Sequence, residues 1–138
     1  MREILFKAKR KDNGEWIEGY YLKRYDLLGN EEHLIFHADS YTVWEYAEID
    51  PETLCEFTGR CDKNGKRIWE NDILMAHLDE LYLEDATYET VEWGAAGWVT
   101  HEANSVDRQY LDEFDLEHFE VVGNIFDNKE LLQEESDE

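Results

Sequence analysis

Short segments in which apolar and polar residues alternate make up most of the chain. Successive side chains of a β-strand point to opposite faces, so a period of two is typical of half-buried strands. The segments that show it are EILFKAK, EWIEGYYL, HLIFHA, YTVWEYAEI, TYETVEW, AGWVTHE and HFEVVGNIF. The pattern predicts a mainly β protein built from antiparallel β-hairpins.

Two Asn-Gly pairs mark predicted hairpin turns, at Asn13-Gly14 and Asn64-Gly65. Both residue types tolerate positive φ, which tight hairpin turns require. In the segments 11–19 and 62–72 each pair is followed by a tryptophan, a glutamate and a turn residue. We therefore expect the same kind of hairpin to open each half of the chain. A further strand pair is expected to turn between Gly94 and Gly97.

Two segments near the C-terminus carry helical signals. Residues 127–135, DNKELLQEE, place Glu130 three residues after Asp127, a capping-box spacing that predicts a short C-terminal helix. The acidic tail 134–138 is expected to be disordered. Residues 105–119, SVDRQYLDEFDLEHF, suit a helix as well as a strand, so their conformation stays open at this point.

The composition is that of a folded chain. Of its 138 residues, 42% are hydrophobic and 14% aromatic, too many for a disordered chain. No apolar run approaches the roughly 20 residues that cross a bilayer, and the first residues lack the features of a signal peptide. We therefore expect a cytoplasmic protein. Cys55 and Cys61 fit ordinary thiols of a reducing compartment.

The charge is strongly negative and unevenly placed. The formal net charge is −22, with 11 Lys/Arg and 15 Asp/Glu in residues 1–70 against 2 and 20 in residues 71–138. A negative field repels nucleic acid and anionic membranes and favours basic protein surfaces or cations. Direct nucleic-acid binding is therefore disfavoured, and a protein partner is expected. The competing interpretation is that the charge only keeps the protein soluble.

An acidic and apolar run, YLDEFDLEHFE at 110–120, is the best candidate surface in the second half. It could form a negative ridge for a basic partner. The competing interpretation is a solvated edge strand or an amphipathic helix whose apolar side faces inward. The candidate partner-binding residues are Asp112, Glu113, Phe114, Asp115 and Glu117.

A second candidate is the basic hairpin tip, which we define as Lys63, Lys66 and Arg67. An EF-hand calcium loop starting at Asp62 fails, because its fifth position is Lys66 and its sixth is Arg67. A phosphate grip is possible in principle, but no glycine-rich loop leads into a helix. The alternative is an exposed tip that pairs with the acidic half of the same or a neighbouring subunit.

Motifs for catalysis, cofactors and metals are absent from the sequence. His33 and His37 share a face if their segment is a strand, but about 13 Å would separate them at roughly 3.3 Å per residue. That distance is too long for one ion. We therefore expect no catalytic residues, no cofactor and no metal.

Three blocks of the sequence together resemble the YopX family of bacteriophage and prophage proteins. They are MREILFKAKRKDNGEWIEGYY, IDPETLCEFTGRCDKNGKRIWENDIL and FEVVGNIFDNKELL, at 1–21, 49–74 and 119–132. Such proteins usually read EGD where this chain has Glu70-Asn71-Asp72, and asparagine also tolerates positive φ. Residues 75–118 match no pattern of the family.

The resemblance implies a mainly β scaffold and a phage or prophage origin. Its later part should be similar to an SH3-like barrel, and self-association is implied as well. We expect a β-hairpin and meander region over 1–56, the barrel region over 57–133 and the tail 134–138, packed as one compact unit. The family brings no established activity and no catalytic residues. The shared residues that resemble fold-defining turn positions are Gly59, Asn64, Gly65, Asp72, Gly123 and Asn124.

Three classes of function compete at this point. The first is a non-enzymatic protein-binding module that docks on a basic surface of a host or phage protein. The second is a structural homo-oligomer of phage origin. The third is an enzyme that acts on a cationic substrate.

Overall fold

The computed structural model describes residues 4–38, 44–76, 87–102, 105–111 and 117–132. They form a mainly β protein whose strands pair antiparallel, which confirms the predicted class. The strands are β1 (Phe6–Lys9), β2 (Trp16–Tyr25), β3 (Glu31–Ala38), β4 (Trp44–Glu48), β5 (Cys55–Cys61), β6 (Arg67–Trp69), β7 (Asp72–Ala76), β8 (Thr87–Trp93), β9 (Trp98–Glu102), β10 (Gln109–Tyr110) and β11 (Phe119–Asn124). Single 3-10 turns lie at Pro51–Thr53 and Lys129–Leu132.

The first compact unit is Met1–Phe57. Its strands follow the order β4-β3-β2-β1, and the first residues of β5 pair with β1. The long strand β2 pairs with β1 through its first half and with β3 through its second half. One face of this sheet carries the core cluster of the unit, which consists of Ala8, Ile17, Ile35, Ala47 and Ile49.

The second compact unit is Thr58–Glu138. Strand β5, which contains the boundary between the units, continues here and is followed by β6. The other strands form a sheet in the order β10-β9-β8-β7-β11. The core cluster of the unit is Ile68, Leu74, Ala76, Val91, Leu111, Phe119 and Val121. Over the described residues this is an antiparallel sheet, and the predicted SH3-like barrel is not confirmed.

Both predicted Asn-Gly hairpins are present, but their turns differ. The first turn leaves four residues between Arg10 and Glu15, whose backbone N–H and C=O groups bond at 2.9 Å. The second leaves three residues between Asp62 and Lys66, which bond at 2.8 Å. Each hairpin carries a tryptophan on its second strand, Trp16 in β2 and Trp69 in β6, as predicted, although the two turns differ in length. A close match to the second turn lies instead between β2 and β3, where Asp26 bonds to Asn30 in the same way.

The predicted C-terminal helix is not confirmed. The described residues form only a 3-10 turn at Lys129–Leu132. One oxygen of the Asp127 carboxylate accepts a hydrogen bond from the side-chain amide of Asn124 in the preceding turn, at 3.2 Å. The tail 134–138 lies outside the described residues.

Several turn positions that the resemblance implies have the backbone conformation expected of them. Gly59 and Gly65 have φ of 85° and 82°. Asn71 has φ of 71°, so asparagine keeps the left-handed turn conformation where the family usually has glycine. At Gly123 a Cβ atom would overlap the side chain of Asn128, which explains the need for glycine there.

Candidate functional site

The structure describes only the two ends of the predicted acidic ridge, residues 110–111 and 117–120. Asp112, Glu113, Phe114 and Asp115 lie outside the described residues, so their arrangement stays a prediction. Glu117 is exposed and precedes β11. The ambiguous segment 105–119 contains the short strand β10 and the buried Leu111.

The basic hairpin tip is a rigid turn with all three of its cations exposed. Beneath them lies the carboxylate of Asp62, which is only 6% exposed. One of its oxygens accepts the N–H groups of Asn64 and Lys66, both at 2.9 Å. Its other oxygen accepts the buried N–H of Val121, also at 2.9 Å, which ties the turn to β11.

This geometry leaves the tip only its side chains for binding. The N–H of Lys63 donates to Phe119 and the N–H of Gly65 donates to Asp62, so the turn retains no main-chain donors for a phosphate. Both Asp62 oxygens accept N–H groups, which opposes cation binding as well. Within the described residues Lys63 and Lys66 make no ion pair, and contact with an acidic surface stays a prediction for them.

The larger surface feature is an aromatic face on the first unit. In strands β2, β3 and β4 the side chains of Tyr21, Ile35 and Ala47 lie opposite one another and point to the core. The residues that alternate with them point to the other side. There Tyr20, Phe36 and Tyr46 form one cross-strand row. We call the outward set of Tyr20, Leu22, Phe36, Trp44 and Tyr46 the aromatic face.

The aromatic face is open to solvent. Tyr20 is 56% exposed, Trp44 57% and Tyr46 58%. The ring centroids of Tyr20 and Trp44 are 6.2 Å apart with a 40° tilt, and those of Phe36 and Tyr46 are 5.3 Å apart. A contiguous exposed patch of this kind on a folded protein marks an interaction surface more often than scattered apolar residues do.

A groove of about 450 Å³ adjoins the aromatic face. Its cations are all paired: Arg24 with Glu32 at 2.7 Å, Arg10 with Asp12 at 2.9 Å and Lys11 with Glu48 at 3.2 Å. The hydrogen bond to Glu32 raises the pKa of Arg24, and the hydrogen bond from Arg10 lowers the pKa of Asp12. The groove is therefore locally neutral and offers no uncompensated positive charge to an anionic ligand.

The histidines that the sequence singled out belong to polar contacts on β3. His33 lies 2.5 Å from the Tyr21 hydroxyl and 3.0 Å from Glu31, and His37 lies 3.5 Å from Glu45. Across the described ranges, no three His, Cys, Asp or Glu side chains are grouped to hold a metal ion.

Both cysteines lie at the ends of β5. Cys55 is buried, Cys61 is exposed, and neither takes part in a disulfide. No helix in the described part of the chain is long and apolar enough to cross a membrane.

Sequence reasoning did not find the aromatic face. The alternation in EWIEGYYL contains two apolar rows, and it does not say which row faces the core. A usable signal was that both rows of β2 carry large side chains, Tyr20 and Leu22 on one side and Ile17 and Tyr21 on the other. A half-buried strand needs only one such row.

Fold and surface together define a mainly β protein with an exposed aromatic sheet face. Its sequence matches the family model "YopX protein" over residues 5–133, and the chain belongs to the YopX family. It is also similar to the crystal structure of protein EF1440 from Enterococcus faecalis, with a TM-score of 0.62 and 21% identity over 96% of this chain and 100% of that chain. At this identity the likeness shows the fold alone. A comparison with curated proteins found no match.

Proposed function

We propose that this YopX protein is a non-enzymatic binding module of phage or prophage origin that docks on a basic protein surface in the bacterial cytoplasm. The observation that carries the proposal is the aromatic face, where Tyr20, Trp44 and Tyr46 are each more than half exposed on one side of a sheet. Tyrosine and tryptophan are enriched at the energetic centres of protein interfaces.

The charge distribution supports a basic partner. The formal net charge of −22 steers positively charged surfaces toward the molecule and opposes contact with nucleic acid. Beside the aromatic face Arg24 is paired with Glu32, so its positive charge is compensated. In this proposal long-range attraction comes from the whole chain, and the exposed rings provide the short-range contact.

The test is capture of the tagged protein from a bacterial lysate, with mass spectrometry of the co-purifying proteins at low and high salt. The key variant is Tyr20→Ser with Trp44→Ser, which removes two exposed rings from the aromatic face. Its matched control is Tyr25→Ser, which removes an equally exposed ring from the other face of β2. We expect the double variant to lose a salt-sensitive basic partner that the control retains.

A further arm tests the acidic ridge. The quadruple variant carries Asp112→Asn, Glu113→Gln, Asp115→Asn and Glu117→Gln. A partner lost from this variant but not from the aromatic variant would place the contact on the ridge. If every partner survives in both variants, the proposed binding function is wrong for these two surfaces.

Self-association is the second candidate, and one observation favours it. Strand β4 stands at the end of the strand order and carries the exposed Trp44 and Tyr46. Two copies could pair along this strand into one continuous sheet, although two chains of −22 repel each other. Light scattering at low and high salt decides, because a monomer under both conditions excludes this alternative.

A further inference from the structure

The rings of Tyr20 and Trp44 differ from those of Trp16, Tyr25 and Tyr46 in the first unit. Elsewhere in the unit, cations of the chain lie over rings: Lys7 over Trp16 at 4.7 Å, Lys23 over Tyr25 at 5.8 Å and Arg24 over Tyr46 at 5.8 Å. In the part of the chain that the structure describes, no cation lies over Tyr20 or Trp44, which contact each other. Both residues are more than half exposed, so a cation from outside can reach their rings.

We propose that the Tyr20–Trp44 pair binds arginine side chains from an extended segment of the basic partner. The inference rests on the proposed function and names the chemistry that the aromatic face recognises. The electron-rich face of an aromatic ring attracts a cation, and a planar guanidinium also stacks on it. Because the rings are tilted by 40° and not stacked on each other, guanidinium groups can reach them.

The negative charge of the chain favours arginine over other planar groups that stack on aromatic rings. A nucleobase would bring its phosphate into the field of a chain with a formal charge of −22. Arginine is favoured over lysine because its planar guanidinium stacks on an aromatic ring and is more weakly hydrated than an ammonium group.

The experiment compares two labelled peptides, one of Arg-Ser repeats and one of Lys-Ser repeats with the same length and charge. Fluorescence anisotropy measures both affinities at about 50 mM and about 300 mM salt, where screening differs. The wild-type protein is expected to bind the arginine peptide about threefold to fivefold more tightly, the factor that a cation–π preference gives at an exposed site. The preference should persist at the higher salt while both affinities fall.

A ring-specific variant makes the test sharper. The double change Tyr20→Leu and Trp44→Leu retains apolar surface but removes both rings, so the two peptides should bind it equally. The single change Tyr25→Leu removes a ring on the other face and should leave the preference intact. Circular dichroism of the variants shows that they are folded, and the wild-type ratio tests the proposal without any variant.

Three outcomes overturn the arginine assignment: equal affinities of the wild type for the two peptides, a preference that survives in the double leucine variant, or tighter binding of single-stranded oligothymidylate than of the arginine peptide. The proposed function is judged separately by the lysate experiment. If a lysate partner depends on Tyr20 and Trp44 while the two peptides bind equally, the binding function stands and only the arginine assignment falls.

Discussion

Replacing Asp62 with alanine should destabilise the second unit strongly. The carboxylate is buried and accepts three backbone N–H groups, those of Asn64, Lys66 and Val121. Two of these donors belong to the exposed turn, where water replaces the lost acceptor in the variant. The Val121 donor is buried and would be left without a partner.

The expected loss in the free energy of unfolding follows from the environments of these donors, two in the exposed turn and one buried. A buried N–H without an acceptor costs about 1–3 kcal/mol, and each turn bond contributes about 0.5–1 kcal/mol. Asp62→Ala should therefore lower the free energy of unfolding by about 3 kcal/mol. With a urea m-value of about 1.5–2 kcal/mol/M, the unfolding midpoint should fall by about 1.5–2 M. Urea unfolding followed by circular dichroism measures this shift.

The chain provides a matched control in the turn at Asp26. Its carboxylate accepts the N–H groups of Leu28 at 2.8 Å and Asn30 at 2.9 Å, the same pattern as in the Asp62 turn. Among the described residues its second oxygen bonds only to the Asn30 side chain of the same turn. Asp26→Ala should therefore shift the midpoint clearly less. Equal shifts for the two variants would refute the role given to the long-range bond.

Three further predictions concern single positions. Asn71→Gly should leave the thermal unfolding temperature unchanged or slightly raised, and Asn71→Val should cost about 1–2 kcal/mol, because φ is 71° there. Gly123→Ala should cost about 2 kcal/mol in urea unfolding, since its Cβ would lie 2.6 Å from Cγ of Asn128; no loss would contradict that overlap. Hydrogen bonds from Asn30 lower the pKa of Asp26, so its stabilisation is present above pH of about 4 and is lost as the pH falls through the lowered pKa. Urea midpoints of Asp26→Asn and the wild type should accordingly differ at pH of about 7, and the difference should shrink as the pH falls through the lowered pKa.

Local patterns predicted the elements of the fold well. Alternation located strands such as β8 and β9, and Gly94 and Gly97 bond at 2.7 Å where their turn was expected. The turn at Asn71 was predictable because few residue types tolerate a left-handed backbone. Such features depend on neighbouring residues alone.

Features that depend on distant residues were not predictable. The Asn-Gly pair alone did not determine that the first turn has four residues and the second three. The hydrogen bond from Val121 to Asp62 joins positions 59 residues apart, and no local sequence pattern predicts it. The aromatic face was missed because alternation describes two rows without assigning either to the core. Which row is buried depends on how the sheet packs.

The hydrogen bond from Val121 to the Asp62 carboxylate also affects the order in which the two units fold during synthesis. Strands β1 to β4 and the core cluster of the first unit lie within the first 49 residues, so that core can form while the rest of the chain is still on the ribosome. The Asp62 turn can close on its own, but it cannot be tied to β11 until Val121 has emerged. The second unit therefore completes its packing late, and a chain interrupted before β11 would leave the carboxylate of Asp62 and one edge of β7 without their native partners.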